Sequence, residues 1–160
     1  MIGAFRVLLL AALPVFPQTQ APAKADQATV VRVAAKAAIA AINFRQGDAA
    51  GLARARADFT PEGWKEFLKH MEGFLDPKGA PTFTSTFLPS RGATVLAEDH
   101  GVVRFRIPGT LTQSSKLGRT TYRAAIEVSA LRDSMIHGGE PIKIKHLEQI
   151  TCAGTSTACQ

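Results

Sequence analysis

Helical periodicity rules the first half of the chain and strand periodicity the second, with the change near residue 80. Between 27 and 44 the residues Val30, Val31, Ala34, Ala35, Ala38, Ile39 and Ile42 fall on one broad helical face. Gln27, Arg32, Lys36 and Asn43 keep the other side polar. The small alanines on the apolar face would let this helix approach a sheet closely. Gly47-Asp48 breaks it, and 49–57 predicts a shorter helix with Leu52 inward and Arg54 and Arg56 outward. A third helix is predicted over 61–75, with Trp64, Phe67, Leu68, Met71 and Leu75 along one face. Pro77 and Gly79 end it.

From there the period is two. Phe83, Ser85 and Phe87 alternate with Thr82, Thr84 and Thr86 in a strand over 82–88, and a second strand follows over 93–98. Asp99-His100-Gly101 is a hairpin connection into 102–107, where Val103, Phe105 and Ile107 oppose Arg104 and Arg106. The polar stretch 110–118 reads as a loop or a loosely paired hairpin. The longest strand, 119–131, holds Tyr122, Ala124, Ile126, Val128 and Ala130 in phase, and a turn at 137–141 leads to a last strand over 142–150. Helices first and a meander afterwards imply an α+β fold. N-terminal helices would pack on one face of an antiparallel sheet curled into a cone.

The third helix has the most complete local chemistry. Thr60 is placed to cap its first turn, and Pro61 occupies the first helical position, where no N–H is needed. Glu62 sits against the positive end of the helix dipole. Phe59 and Trp64 have the spacing of a hydrophobic staple. The chain's single Trp thus marks a helix that must dock on something, and the stretch is expected to be the domain's main packing anchor.

The same residues, Phe59-Thr60-x-x-Gly63-Trp64-x-x-Phe67, resemble an element of the DotI/IcmL family, inner-membrane core subunits of type IV secretion systems. The similarity extends through the strand ending Val103-Arg104-Phe105-Arg106-Ile107-Pro108 and through the strand that begins Arg119-Thr120-Thr121-Tyr122-Arg123. It covers roughly residues 34 to 150. The resemblance implies a periplasmic domain of nuclear transport factor 2-like shape and a scaffold or assembly role among other envelope or secretion-system proteins.

Composition modifies this picture at the two ends. Residues 7–16 form an apolar run that is interrupted by Pro14 and is short for a bilayer span. Ala23-Lys24-Ala25, or alternatively Ala21-Pro22-Ala23, offers small residues for cleavage. This is the pattern of a secretory signal peptide over 1–25, with an uncleaved membrane anchor as the alternative. The expected organisation is then an α+β domain over 26–151 and a tail over 152–160, in a periplasmic or secreted protein. Cys152 and Cys159 are the only cysteines, and in an oxidising compartment they are expected to form a local disulfide. The formal charge is +6, and removing 1–25 takes away Arg6 and Lys24 and no acid, leaving +4. That modest excess suits acidic partners or anionic surfaces and does not point to nucleic acid.

Catalytic motifs are missing. The chain has no nucleophile elbow, no phosphate-cradling glycine loop and no metal-ligand spacing among His70, His100, His137 and His146, so no cofactor is expected. His146 and Glu148, in phase with Ile142, Ile144 and Ile150, are the best enzymatic hint, although Leu147 breaks the alternation and a bulge could reverse them. Glu127 is out of phase with its strand's apolar set and should face solvent. Arg104, Arg106, Arg123, Lys143 and Lys145 share the outward phase of three strands. They would make a basic stripe for a partner if those strands are neighbours. The leading reading is a non-enzymatic envelope scaffold, with self-association open to it. A nuclear transport factor 2-like isomerase or dehydratase and a secreted small-ligand carrier are the alternatives. A filled cone would favour the scaffold, an apolar cavity the carrier, and a cavity with a buried acid the enzyme.

Overall fold

A computed structural model describes residues 26–132 and 142–152. The expected leader over 1–25, the turn at 137–141 and Cys159 lie outside the described residues. Helices α1 (Gln27–Ile42), α2 (Ala49–Ala55) and α3 (Pro61–Met71) come first, with 3-10 turns at Arg56–Asp58 and Glu72–Phe74. The strands β1 (Thr84–Pro89), β2 (Thr94–Asp99), β3 (Val102–Ser115), β4 (Gly118–Arg132) and β5 (Ile142–Thr151) form one antiparallel sheet. The helices lie on one of its faces, as the order of periodicities implies.

The long strand β3 is the spine. Along one edge it pairs with β4 over its whole length. Its other edge is shared: β2 takes residues 102–106 and β1 takes residues 109–114. Strand β5 closes the far side of β4. The β2–β3 connection has positive φ at both His100 (46°) and Gly101 (80°), the type I′ geometry that matches strand twist.

Helix α1 begins at Asp26, whose carboxylate accepts the Thr29 N–H at 2.7 Å. Its alanine face does what small side chains allow: Ala34, Ala38 and Ala41 are at most 1% exposed, beside Val30 at 0%. The expected helix to residue 44 stops at Ile42 instead. Asn43 turns its side-chain oxygen to the N–H of Phe87, and Phe44 forms an antiparallel bridge with Ser85. A strand partner here competes successfully with one more turn of helix. Similarly, α3 is α-helical to Met71 and tightens to a 3-10 turn before Leu75.

The stretch 110–118 is not a loop. Strand β3 runs through it to Ser115, with Thr112 opposite Thr121 and Ser115 opposite Gly118. Its hydroxyl side chains alternate with Leu111 and Gln113, and Thr favours the pleated surface as much as apolar β-branched residues do. Polarity on both faces hid a regular strand.

The helix-facing side of the sheet carries Val103, Phe105, Ile107 and Leu111 from β3 and Ala124, Ile126, Val128 and Ala130 from β4, all essentially buried. On β5 the register slips once. Ser129 pairs with His146 but Ala130 pairs with Ile144, so Lys145 is an extra residue in a bulge. Ile144 (1% exposed) and Leu147 (5%) can therefore both face the helices although they are three apart.

Candidate functional site

The anchor helix docks on β5 at the bulge. The Thr60 hydroxyl accepts the Gly63 N–H at 3.1 Å, and the Thr60 N–H donates to the Ile144 carbonyl at 2.9 Å. Phe59 forms a parallel bridge with Ile144. Gly63 is buried with its Cα against the strand: a Cβ there would lie 2.7 Å from the carbonyl oxygens of both Ile144 and Lys145. Only glycine permits this approach. Phe59, Trp64 and Phe67 then pack with centroids 5.4–5.5 Å apart. Phe59 and Phe67 are buried and Trp64 is half-buried, so the stretch is a clamp between helix and strand, as its local chemistry implies.

The outward face of the sheet divides into two halves. In the half made by the start of β3, the end of β4 and β5, acids and bases pair, although Arg106 Nε is buried without a partner among the described residues. The Glu127 carboxylate accepts from Arg104 Nε and Arg106 Nη2, each at 2.9 Å, and its side chain is only 14% exposed. Glu127 is on the outward face but does not stand in solvent, because its two cross-strand neighbours fold over it. Lys143 donates from Nζ to the Ala57 carbonyl, tying β5 to the approach of α3. Lys145 occupies the bulge and is exposed. Arg123 lies opposite Thr110, four residues along β4 from Glu127. The five residues therefore do not make one stripe: two are bound to Glu127, one is tied to a backbone carbonyl, and Arg123 belongs to the other half.

That other half is built differently. Across β1, β3 and β4 the outward positions run Thr84–Ser114–Arg119, Thr86–Thr112–Thr121 and Leu88–Thr110–Arg123. Thr112 and Thr121 hydroxyls lie 3.0 Å apart. There is no Asp or Glu from 77 to 97 or from 100 to 126, so this half of the face carries no acid of its own beside Arg119. Among the described residues Arg119 makes no ion pair. Sequence reasoning found Arg123 and missed Arg119 and the hydroxyl grid. The signal was the alternation of Thr110, Thr112 and Ser114 with Leu111, which continues the alternation already seen from Thr82 to Thr86.

His146 and Glu148 do not face the helices. The bulge at Lys145 reverses both, and the His146 ring lies between Glu66 of α3 (Nδ1 to oxygen 3.1 Å) and Glu148 (Nε2 to oxygen 3.8 Å). This arrangement joins helix to strand on the surface. Among the described residues no cluster of three His, Cys, Asp or Glu side chains is placed to hold a metal ion. Cys152 follows β5, its N–H donating to the Arg123 carbonyl at 3.0 Å, while Cys159 lies outside the described residues.

On the helix side, beneath the hydroxyl-rich half, the packing is incomplete. A cavity of about 350 Å³ opens between α3, the end of α1, β1 and the β4–β5 pair. Phe44, Phe67, Met71, Phe83 and Leu147 supply apolar walls, and Ser85, Gln113, Tyr122 and Gln149 a polar floor. The cone is filled at the anchored end and hollow at the other. Glu148 borders the hollow and is itself exposed, so no buried acid is present there.

No protein-family model and no curated protein matches the chain. Solved structures do. The periplasmic domain of DotI aligns over 82% of this chain and 100% of its own, with 20% identity and a TM-score of 0.68. An IcmL-like type IV secretion system protein from Legionella pneumophila aligns over 84% and 99%, with 12% identity and a TM-score of 0.66. A periplasmic fragment of TraM aligns over 79% and 98%, with 11% identity and a TM-score of 0.54. At these identities the likeness is one of fold. It is the fold that the Phe59–Phe67 element implied.

Proposed function

We propose that this protein is a non-catalytic scaffold subunit of a type IV secretion assembly, working in the cell envelope. One observation carries the reading. The chain spans the whole of the DotI periplasmic domain at a TM-score of 0.68, and the Phe59–Phe67 element that resembles that family forms the clamp between α3 and β5 in this chain. The surface position of the His146–Glu148 pair supports the non-enzymatic part: His146 is held by Glu66, and Glu148, at the border of the cavity, is exposed rather than buried. Among the described residues no helix is long and apolar enough to cross a membrane. Export by a cleaved leader over 1–25 and a Cys152–Cys159 disulfide complete the proposal, both resting on the sequence pattern.

The docking face is the acid-free half of the outer sheet, where Arg119 stands among hydroxyls. Its partner is another envelope protein presenting acidic side chains, and no nucleic acid is involved. The anchored half contributes little, because Arg104 and Arg106 already hold Glu127.

The test is a tagged chromosomal copy purified from solubilised envelopes, combined with a deletion strain. Secretion-machine subunits should co-purify, and the deletion should abolish type IV transfer. Unimpaired transfer together with a partner set lacking machine components would refute the reading.

A further inference from the structure

The cavity on the helix side is independent of the docking face and asks for its own occupant. The cavity opens to solvent past the half-exposed Phe74, so a ligand can reach its inner wall. The lining has the composition of a small-molecule site, with mostly aromatic and aliphatic walls and a few convergent polar groups. Its volume of about 350 Å³ falls near the lower end of such pockets, roughly 300–1,000 Å³.

The polar floor contains unused hydrogen-bonding capacity. Ser85 is 3% exposed, and its backbone N–H and carbonyl are both spent on the bridge to Phe44. Its hydroxyl has no partner among the described residues, and its phase on β1 aims it at the helices. Tyr122 accepts from Gln149 Nε2 at 3.0 Å, which leaves the phenolic O–H able to donate into the space. Gln113 stands opposite Ser85 on β3. The rings of Phe44 and Phe74 meet Phe83 edge-to-face, with centroids 5.2 and 5.4 Å away, and turn aromatic surface toward the hollow. No Lys or Arg lines it, and His70 and Glu148 on its lining are exposed rather than buried with the ligand, so a carboxylate or phosphate on the Ser85 floor would be desolvated without a buried countercharge.

We infer that this cavity binds an uncharged amphipathic small molecule, its aromatic or short aliphatic end among Phe67, Met71 and Phe83 and its hydrogen-bonding end on Ser85 and Tyr122. The hydroxyl of Ser85 is the specificity element: Ser85 is the most buried polar residue on the wall, and a ligand group satisfies its hydroxyl.

Fluorescence titration of the full chain with N-phenyl-1-naphthylamine, a neutral aromatic probe with one N–H, tests the site. Saturable binding of one probe per chain is expected. The sulfonated analogue 8-anilinonaphthalene-1-sulfonate should bind at least about tenfold more weakly, because no Lys or Arg lines the cavity and the Glu148 carboxylate at its border repels an anion. Ser85→Ala leaves the shape nearly unchanged and should weaken the neutral probe about fivefold, the loss of one hydrogen bond. Met71→Trp, which fills the hollow, should weaken it more than about tenfold. If that variant does not fold, Phe74→Ala at the half-exposed rim replaces it and should also weaken binding. Absence of saturable binding, equal affinity for the two probes, or binding indifferent to Ser85→Ala and to the second variant would each overturn the inference.

Discussion

The two ends of the sheet treat the same kinds of residue in opposite ways. At the anchored end, Arg104 and Arg106 close on Glu127, His146 joins Glu66 to Glu148, and Gly63 lets α3 touch the carbonyls of β5. Inside that end Val103, Phe105, Val128 and Ile144 fill the space under α1. At the open end, Thr86, Thr112 and Thr121 face outward beside Arg119 with no acid in that half of the strands, and the inner side is hollow. Polar groups that satisfy one another hold a fold together and leave little for a partner. Polar groups left presented contribute little to stability and are available for recognition. On the proposed docking role of the open half, the difference separates structure from function within one sheet.

The largest effect that would break this comparison is expected at Gly63. Gly63→Ala drives a methyl group into two backbone carbonyls that cannot yield like a side chain, and should cost about 3 kcal/mol in denaturant unfolding. A wild-type melt for this variant would mean that α3 is not clamped to β5. Trp64→Ala follows at about 2–3 kcal/mol, below the cost for a fully buried Trp because this ring is half-buried. Equal stability with lost partner binding would instead make Trp64 a contact residue and move the docking face to the anchored end. Glu127→Ala leaves two guanidinium groups without their shared acceptor and should cost about 2 kcal/mol. Thr60→Ala, which removes one capping bond, should cost about 1 kcal/mol by the same melts. A series in the reverse order would show the anchor motif to be a minor element.

Much of the anchored end was legible because its signals are local. The Thr60 cap, the Phe59–Trp64 staple and the alanine face of α1 all act within one or two helical turns. The phases of β1, β3 and β4 were equally readable from their alternation. Long-range register was not readable. The bulge at Lys145 depends on Phe59 and Thr60 bonding to Ile144, some 85 residues away in sequence, and it alone decides which way His146 and Glu148 point. The fork at Glu127 likewise requires the register that the Ser115–Gly118 turn sets between β3 and β4. Asp26 and Asp48 both cap helices, at 2.7 and 2.6 Å, although the second read only as a helix breaker. Gly63 read only as part of a motif, since its reason lies in the strand it touches. The hydroxyl grid was overlooked because a strand with polar residues on both faces has no apolar period to announce it.

The difference between the two ends is tested most directly by site-specific photo-cross-linking in the native envelope, with the reactive residue placed at Thr121 or at Lys145. Both positions are exposed, Thr121 in the hydroxyl-rich half and Lys145 in the bulge of the anchored half. Neither substitution should shift stability by more than about 0.5 kcal/mol, so both proteins should accumulate normally. The expected result is an adduct to another envelope protein from Thr121 and little or none from Lys145, with Arg119→Glu erasing the Thr121 adduct. Adducts from Lys145 alone, or equally from both, would contradict the assignment of docking to the acid-free half.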